Sequence, residues 1–249
     1  MIAVLSPAKT LDLDTPAPFP ATPARFADEA ATLAKAASHL TQKKLSELMK
    51  ISPALAKLNA DRFRDFAHAT ERPALYTFAG DVYTGLEAKT LDEPAVRFAQ
   101  DHLRLLSGLY GLLRPLDGMR PYRLEMGTRW APRRTKLTDW WGDRIAAALA
   151  QDVAAEGSHT VLNLASNEYW DAVKGRLPAG VRVIAVDFRE GDGRFVSFHA
   201  KKARGMMARY LVEHRITEVD AMKAFDTDGY RFDKRASDDD RWTFARTAA

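Results

Sequence analysis

The run Thr160-Val161-Leu162-Asn163-Leu164-Ala165-Ser166-Asn167-Glu168-Tyr169 reads as a buried strand that stops on polar residues and opens a helix. The stretch Thr160–Leu164 suits a strand covered on both faces. The amide, hydroxyl and carboxylate side chains of Asn163, Ser166, Asn167 and Glu168 then converge at its carboxyl end, where α/β proteins tend to place their sites. Helix capping by Ser166 or Asn167 accounts for two of them without any ligand.

Other strands of the same kind lie on both sides of this run. Ile2–Leu5 is a short apolar run that stops at Ser6-Pro7, and Val181–Phe188 is a longer one. Leu75–Phe78 looks like a strand, Arg194–His199 like a half-exposed one, and Tyr230–Phe232 with Trp242–Phe244 like a hairpin. Prolines 16, 18, 20 and 23 force an extended connection, and Thr22-Pro23 reads as an N-cap followed by proline at the first helical position. Phe26, Ala30, Leu33, Ala37 and Leu40 then recur on one helical face. Thr41 starts a short helix through Lys50, and Ser52-Pro53 starts the next, with Leu55, Leu58 and Phe66 inward. Pro94 opens a helix whose stripe Val96, Ala99, Leu103 and Leu106 ends near Gly108.

Residues 108–136 show no period and read as loop. Thr138 caps a helix to near Glu156, Ala200–Arg215 is a helix, and a short one follows over about 218–225. The pattern predicts one mixed α/β (α+β) domain over 1–249, its central sheet elements surrounded by helices, with a helix-hairpin-helix-like module at about 41–66.

Composition narrows the function classes. Hydrophobic residues make up 46% and charged residues 28% of the 249, so the chain can bury a core without staples. The absence of cysteine excludes disulfides, thiol nucleophiles, iron–sulfur clusters and cysteine-ligated zinc. No apolar run approaches a membrane span, and Met1–Leu5 lacks the basic region of a signal peptide, so a cytoplasmic protein with no membrane partner is expected. Net charge is +4, unevenly spread. Eight basic residues face two acids between Arg104 and Lys136, whereas the tail from Glu218 is acidic. A basic middle suits an anionic partner; a solvated surface of mixed charge is the competing reading.

The common catalytic signatures fail. There is no glycine-rich phosphate loop, no G-x-S-x-G, no H-E-x-x-H and no histidine pair at metal spacing. No cofactor and no metal site are expected. Leu45-Ser46-Glu47-Leu48-Met49-Lys50-Ile51-Ser52-Pro53 is more informative. Its layout resembles a helix-hairpin-helix, which offers backbone N–H groups and a helix N-terminus to a DNA phosphate. Lys50 and Ser52 stand where that motif has glycines, and can substitute a charge and a hydroxyl. An ordinary αα-corner fits the same residues.

Lys9, in the loop after the first strand, can reach into a cleft as a phosphate binder or a nucleophilic amine, or can be a plain surface lysine. Leu106–Thr128 brackets Tyr110, Arg114, Tyr122 and Arg123 with glycine turns, the pairing of stacking faces and cations that a nucleic-acid groove needs, and also what a glycine-hinged surface loop would carry. Lys201, Lys202 and Arg204 place cations in the first turns of a helix, against its dipole, which an anionic partner or a nearby acid would offset.

Five separate stretches, in order, resemble the YaaA family of bacterial peroxide-stress proteins. They are Leu5–Leu11, Phe78–Leu86, Leu106–Thr128, Asn163–Tyr169 and Ala200–Gly205. The resemblance implies a mixed α/β fold outside the large superfolds. It also implies a cytosolic protein that protects against hydrogen peroxide, is associated with lowering intracellular free iron, and binds DNA through a positively charged cleft and a helix-hairpin-helix.

The expected partner is therefore duplex, distorted or branched DNA read with weak sequence specificity, and the expected state is a monomer. The expected contacts are Lys9, Lys50, Ser52, Tyr110, Arg114, Tyr122, Arg123, Asn163, Ser166, Asn167, Lys201, Lys202 and Arg204, gathered in one cleft with Tyr83, Tyr110 and Tyr122 as stacking faces and the hairpin at its rim. The alternative is a nucleic-acid or nucleoside enzyme of glycosidase or lyase type, with Lys9 as the amine and Tyr83, Glu125 or Glu168 as acid/base partners.

Overall fold

The computed structural model describes residues 1–246. Its centre is a seven-stranded, mostly parallel sheet flanked by helices. In chain order the strands are β1 (Ile2–Leu5), β2 (Leu103–Ser107), β3 (Gly111–Leu113), β4 (Thr160–Asn163), β5 (Arg182–Glu190), β6 (Tyr230–Phe232) and β7 (Arg241–Arg246). Their order across the sheet is β6-β7-β5-β4-β1-β2-β3, with the edge strands β3 and β6 antiparallel to their neighbours. Val4 sits opposite Asn163 and Asn163 opposite Ala185, so β1 and β4 end together while β5 runs on to Glu190. β1 is buried along its whole length and needs helices on both faces, as a parallel sheet does.

The helices are α1 (Ala27–Ser38), α2 (Gln42–Met49), α3 (Pro53–Arg64), α4 (Asp81–Leu86), α5 (Glu93–His102), α6 (Leu137–Trp141), α7 (Arg144–Glu156), α8 (Asn167–Trp170) and α9 (Ser197–Glu213). The buried apolar residues form one core cluster running through β1, β2 and β4 into α1, α7 and α9. Among the described residues no helix is long and apolar enough to cross a membrane.

Several expectations fail for physical reasons. The helix from Pro94 ends at His102, and Leu103–Ser107 is β2, entered without a loop because Leu103 already has extended dihedrals. Residues 108–136, read as loop, contain β3 and a two-residue pairing of Gly118–Met119 with Arg72–Pro73. Leu75–Phe78 is mostly one buried helical turn, Ala74–Thr77, rather than a strand. Residues 194–199 are no strand either, since α9 begins at Ser197.

The helix expected from Thr22-Pro23 starts only at Ala27. The helix expected from Thr138 is two, broken at Gly142, whose φ of 53° is a glycine conformation. Leu55 and Leu58 face solvent at 39% and 43% exposure instead of the core, while Phe66 is buried. The short helix over about 218–225 is a 3-10 helix, Val219–Ala224, and the hairpin forms as β6 and β7 with Phe232 opposite Phe244.

Close packing of α4 on α9 holds both helices rigidly beside the carboxyl end of the sheet. A Cβ on Gly85 would lie 2.0 Å from the Lys202 carbonyl oxygen, and one on Gly205 would lie 1.7 Å from that of Val82. Only glycine allows the two backbones to approach this closely.

Candidate functional site

Chain order makes β1 and β4 the topological switch of the sheet. From β1 the chain moves outward to β2 and β3, then returns to the other side of β1 at β4. Crevices outside the carboxyl ends of such strands hold ligands in open α/β sheets. Here the crevice is a cavity of about 950 Å³. It is lined by the loop after β1 (Ser6–Thr10), the start of α4, the end of β4 and start of α8 (Asn163–Tyr169), part of β5, and Ser197, Lys201 and Arg204 of α9.

The two switch-point loops are joined directly. Ser6 Oγ accepts the Ser166 backbone N–H at 2.9 Å and lies 3.2 Å from Ser166 Oγ. Asn163 Oδ1 accepts from the Ala165 N–H at 2.9 Å, and Glu168 Oε1 from the Gly127 N–H at 3.3 Å, which ties the 120s segment to the α8 turn. Tyr83 OH donates to the Ser6 carbonyl at 3.2 Å.

Five cationic side chains (Lys9, Arg189, Lys201, Arg204 and Arg241) line the cavity against three carboxylates (Asp81, Glu168 and Asp187). Lys201 Nζ lies 3.5 Å from Asp81, and Arg189 lies 2.6 Å from Asp187. Burial pushes the Arg204 guanidinium below its ordinary range, and the nearby Asp187 carboxylate partly restores it. Arg204 Nε is shielded from solvent and has no hydrogen-bond partner. Arg189 thus takes the Asp187 carboxylate, and Arg204 keeps a guanidinium nitrogen without an acceptor.

Glu125, only 7% exposed, is shared by two cations. It accepts from Arg123 Nε at 3.0 Å and lies 3.5 Å from Lys9 Nζ, and its Oε2 has no partner. One carboxylate divided between two cations, and an Arg204 nitrogen without an acceptor, leave positive charge for a further anion. The Lys9 side chain is 60% exposed. Its ammonium is therefore open to solvent while paired with a carboxylate.

The structure brings together Lys9, Asn163, Ser166, Asn167, Glu168, Lys201 and Arg204 at the cavity wall, with Glu125 and Arg123 behind Lys9. It does not bring the others. Arg114 is paired with Asp117 after β3, at 3.0 Å, because β3 runs antiparallel and carries it to the opposite end of the sheet. Lys202 points toward Asp228, at 4.0 Å, since its neighbour Lys201 takes the cavity side of α9.

The three tyrosines are not stacking faces. Tyr83, Tyr110 and Tyr122 are buried, and burial pushes all three phenols up. Tyr122 OH and Ser107 Oγ share a 2.6 Å hydrogen bond, and Tyr110 OH accepts the Arg120 N–H. Tyr110 and Tyr122 belong to an aromatic wall in which Phe66, Tyr110 and Tyr122 follow one another at centroid distances of 6.3 and 5.8 Å, and Tyr83 packs against Phe78 at 5.5 Å.

No residue of 41–66 lines the cavity. There Thr41 Oγ1 caps α2, Ser52 Oγ caps α3, Ile51 plugs the turn and Lys50 adopts a left-handed φ of 51°. That is the left-handed conformation in which helices commonly end on glycine.

Sequence reasoning missed Asp81, Asp187, Arg189, Phe195 and Arg241. Asp187 lies near the end of the strand read at Val181–Phe188 and Arg189 just past it, and residues at a parallel strand's carboxyl end were the available signal. Arg241 reaches the site through its register opposite Ala185, which nothing local encodes.

A parallel-sheet protein with a cationic cleft at its switch point is the class that fold and site define. Within that class the chain belongs to the family described as peroxide stress protein YaaA, whose family model matches residues 1–236. It is similar to UPF0246 proteins of Rhizorhabdus wittichii (58% identical over 99% of this chain and 100% of the relative), Cupriavidus metallidurans (48%, over 99% and 98%) and Saccharophagus degradans (46%, over 99% of both).

Proposed function

We propose that this protein acts in the peroxide stress response as a cytoplasmic DNA-binding protein without strong sequence specificity, a single domain that works as a monomer. The observation that carries the reading is the excess of five cations over three carboxylates lining the switch-point cleft, with Arg204 Nε left without a partner and Lys9 sharing Glu125 with Arg123 behind it. Phosphate contacts of this kind position a protein on DNA and carry no base information. The α2–α3 turn supplies a second grip as a helix-hairpin-helix. Lys50 adds charge, and the capped N-terminus of α3 offers N–H groups to a phosphate.

Peroxide harms DNA through ferrous iron, so cover for DNA and a lowered pool of free iron serve one defence. The iron effect belongs to this reading, with no residue assigned to it. Titrating duplex, bubble and junction DNA against the protein at low salt tests the proposal. Binding that weakens steeply with salt is expected, and no detectable binding to any of the three would end it.

A further inference from the structure

A groove that only follows phosphates has no use for an exposed aromatic ring, yet this cavity has one. Phe195 lines it and is 49% exposed. The Arg189 guanidinium lies 5.5 Å from its ring centroid. The ring sits between β5 and α9, and the segment carrying it is anchored on both sides. The Glu190 N–H donates to the Arg194 carbonyl at 2.9 Å, and Glu190 Oε1 lies 2.8 Å from His199 Nδ1. A flat apolar face held at the mouth of a cationic cavity suits a nucleobase, which stacks on aromatic rings whatever its identity.

Size points the same way. About 950 Å³ is the upper range of small-molecule sites, room for one nucleotide unit inside, while a duplex can only lie across the mouth. A base reaches such a pocket only when it is free or turned out of its stack. The cations that could meet its phosphate are on the same wall. Lys201 and Arg204 are one turn apart on α9, and Arg204 keeps a buried Nε without a partner.

We propose that the cavity is a mononucleotide site, in which one unstacked nucleotide places its base against Phe195 and its phosphate against Lys201 and Arg204. The proposal deepens the DNA-binding reading and uses the same cleft. The nucleotide has two sources, a free nucleotide or one turned out of a strand.

Calorimetric titration of the full chain at low salt with AMP, inorganic phosphate and a five-residue thymidine oligonucleotide separates them. AMP, the oligonucleotide or both should bind more tightly than inorganic phosphate. Phe195→Ala should weaken that binding at least about 5-fold, the lower end of what one base–aromatic stack contributes, and Phe195→Trp should restore it. Arg204→Gln should weaken AMP and inorganic phosphate together. Phe195-dependent binding of AMP assigns the site to free nucleotides, and of the oligonucleotide alone to strand nucleotides.

AMP and the oligonucleotide binding no better than inorganic phosphate, or unchanged binding in Phe195→Ala, would overturn the proposal. Duplex DNA titrated in parallel keeps the two readings apart. Duplex binding without AMP or oligonucleotide binding removes the mononucleotide site alone. Phe195-dependent AMP binding without duplex binding keeps the site and removes the DNA reading.

Discussion

Ser6 and Ser166 are 160 residues apart in the chain, and the Ser6 hydroxyl accepts the Ser166 backbone N–H at 2.9 Å. One hydrogen bond thus joins the loop after β1 to the turn after β4, the two segments that frame the cleft. Ser6→Ala should cost about 1–2 kcal/mol, since a partly buried N–H loses its acceptor. Urea unfolding would measure this, and the accompanying loss of DNA affinity should exceed that of an alanine substitution elsewhere in the same loop, at Thr10.

The α4–α9 crossing predicts a larger effect. With a Cβ 1.7 Å from the Val82 carbonyl oxygen, Gly205→Ala forces the helices apart, and displaces Lys201 and Arg204 from the cleft wall. We expect a loss of about 3 kcal/mol or a failure to fold, overpacking of backbone being among the costlier changes. Thermal unfolding would check it, and Gly180→Ala, where a Cβ meets nothing within 4 Å, should be near neutral.

Acid sensitivity should centre on Asp152. Burial pushes its carboxyl up, but hydrogen bonds from Arg25 and Arg104 outweigh this and hold it below the ordinary range. Arg104 Nε donates at 2.6 Å, and both side chains are largely buried. A carboxyl depressed in the folded state contributes fully above its unfolded value near 4 and loses that contribution as pH falls through the folded value. Asp152→Asn should destabilise by about 3 kcal/mol at pH 7, by leaving Arg104 without its counter-charge. It should also show a flatter stability profile than the native chain below pH 4, read by denaturant unfolding at several pH values.

The hairpin offers a variant that separates charge from backbone. Lys50 holds a left-handed φ of 51°, which costs a residue with a side chain about 1 kcal/mol. Lys50→Gly relieves that strain and removes the cation. Stability should stay within about 1 kcal/mol of the native value, while the slope of log affinity for DNA against log salt becomes shallower by about 1. Unchanged salt dependence would take the hairpin out of the DNA contact.

Legibility of the fold in the chain depends on where periodicity is unambiguous. β1, β4 and β5 are isolated apolar runs and are legible. β2 is not, because Leu103 and Leu106 prolong the helical stripe of Val96 and Ala99, and a short apolar run fits either period. Residues 108–136 have no period because they wrap buried tyrosines rather than expose a face. At the site, Lys9, Ser166, Asn167 and Lys201 are legible as polar residues beside strand ends or in a helix's first turns. Arg189, Asp187 and Arg241 depend on strand register, and Phe195 on which way a connection faces. The tyrosines mislead because Tyr serves a core as readily as a groove once its hydroxyl finds a partner, as that of Tyr122 does at Ser107.

The salt dependence of duplex binding, compared between the native chain and the double variant Lys201→Ala/Arg241→Ala, reads the cleft's share of the phosphate contacts. Both side chains line the cleft. Log affinity should fall linearly with log salt, and the variant's slope should be shallower by up to about 2, with affinity lowered alike for unrelated sequences. A variant slope equal to the native one, or affinity lost for one sequence only, would contradict this reading of the cleft.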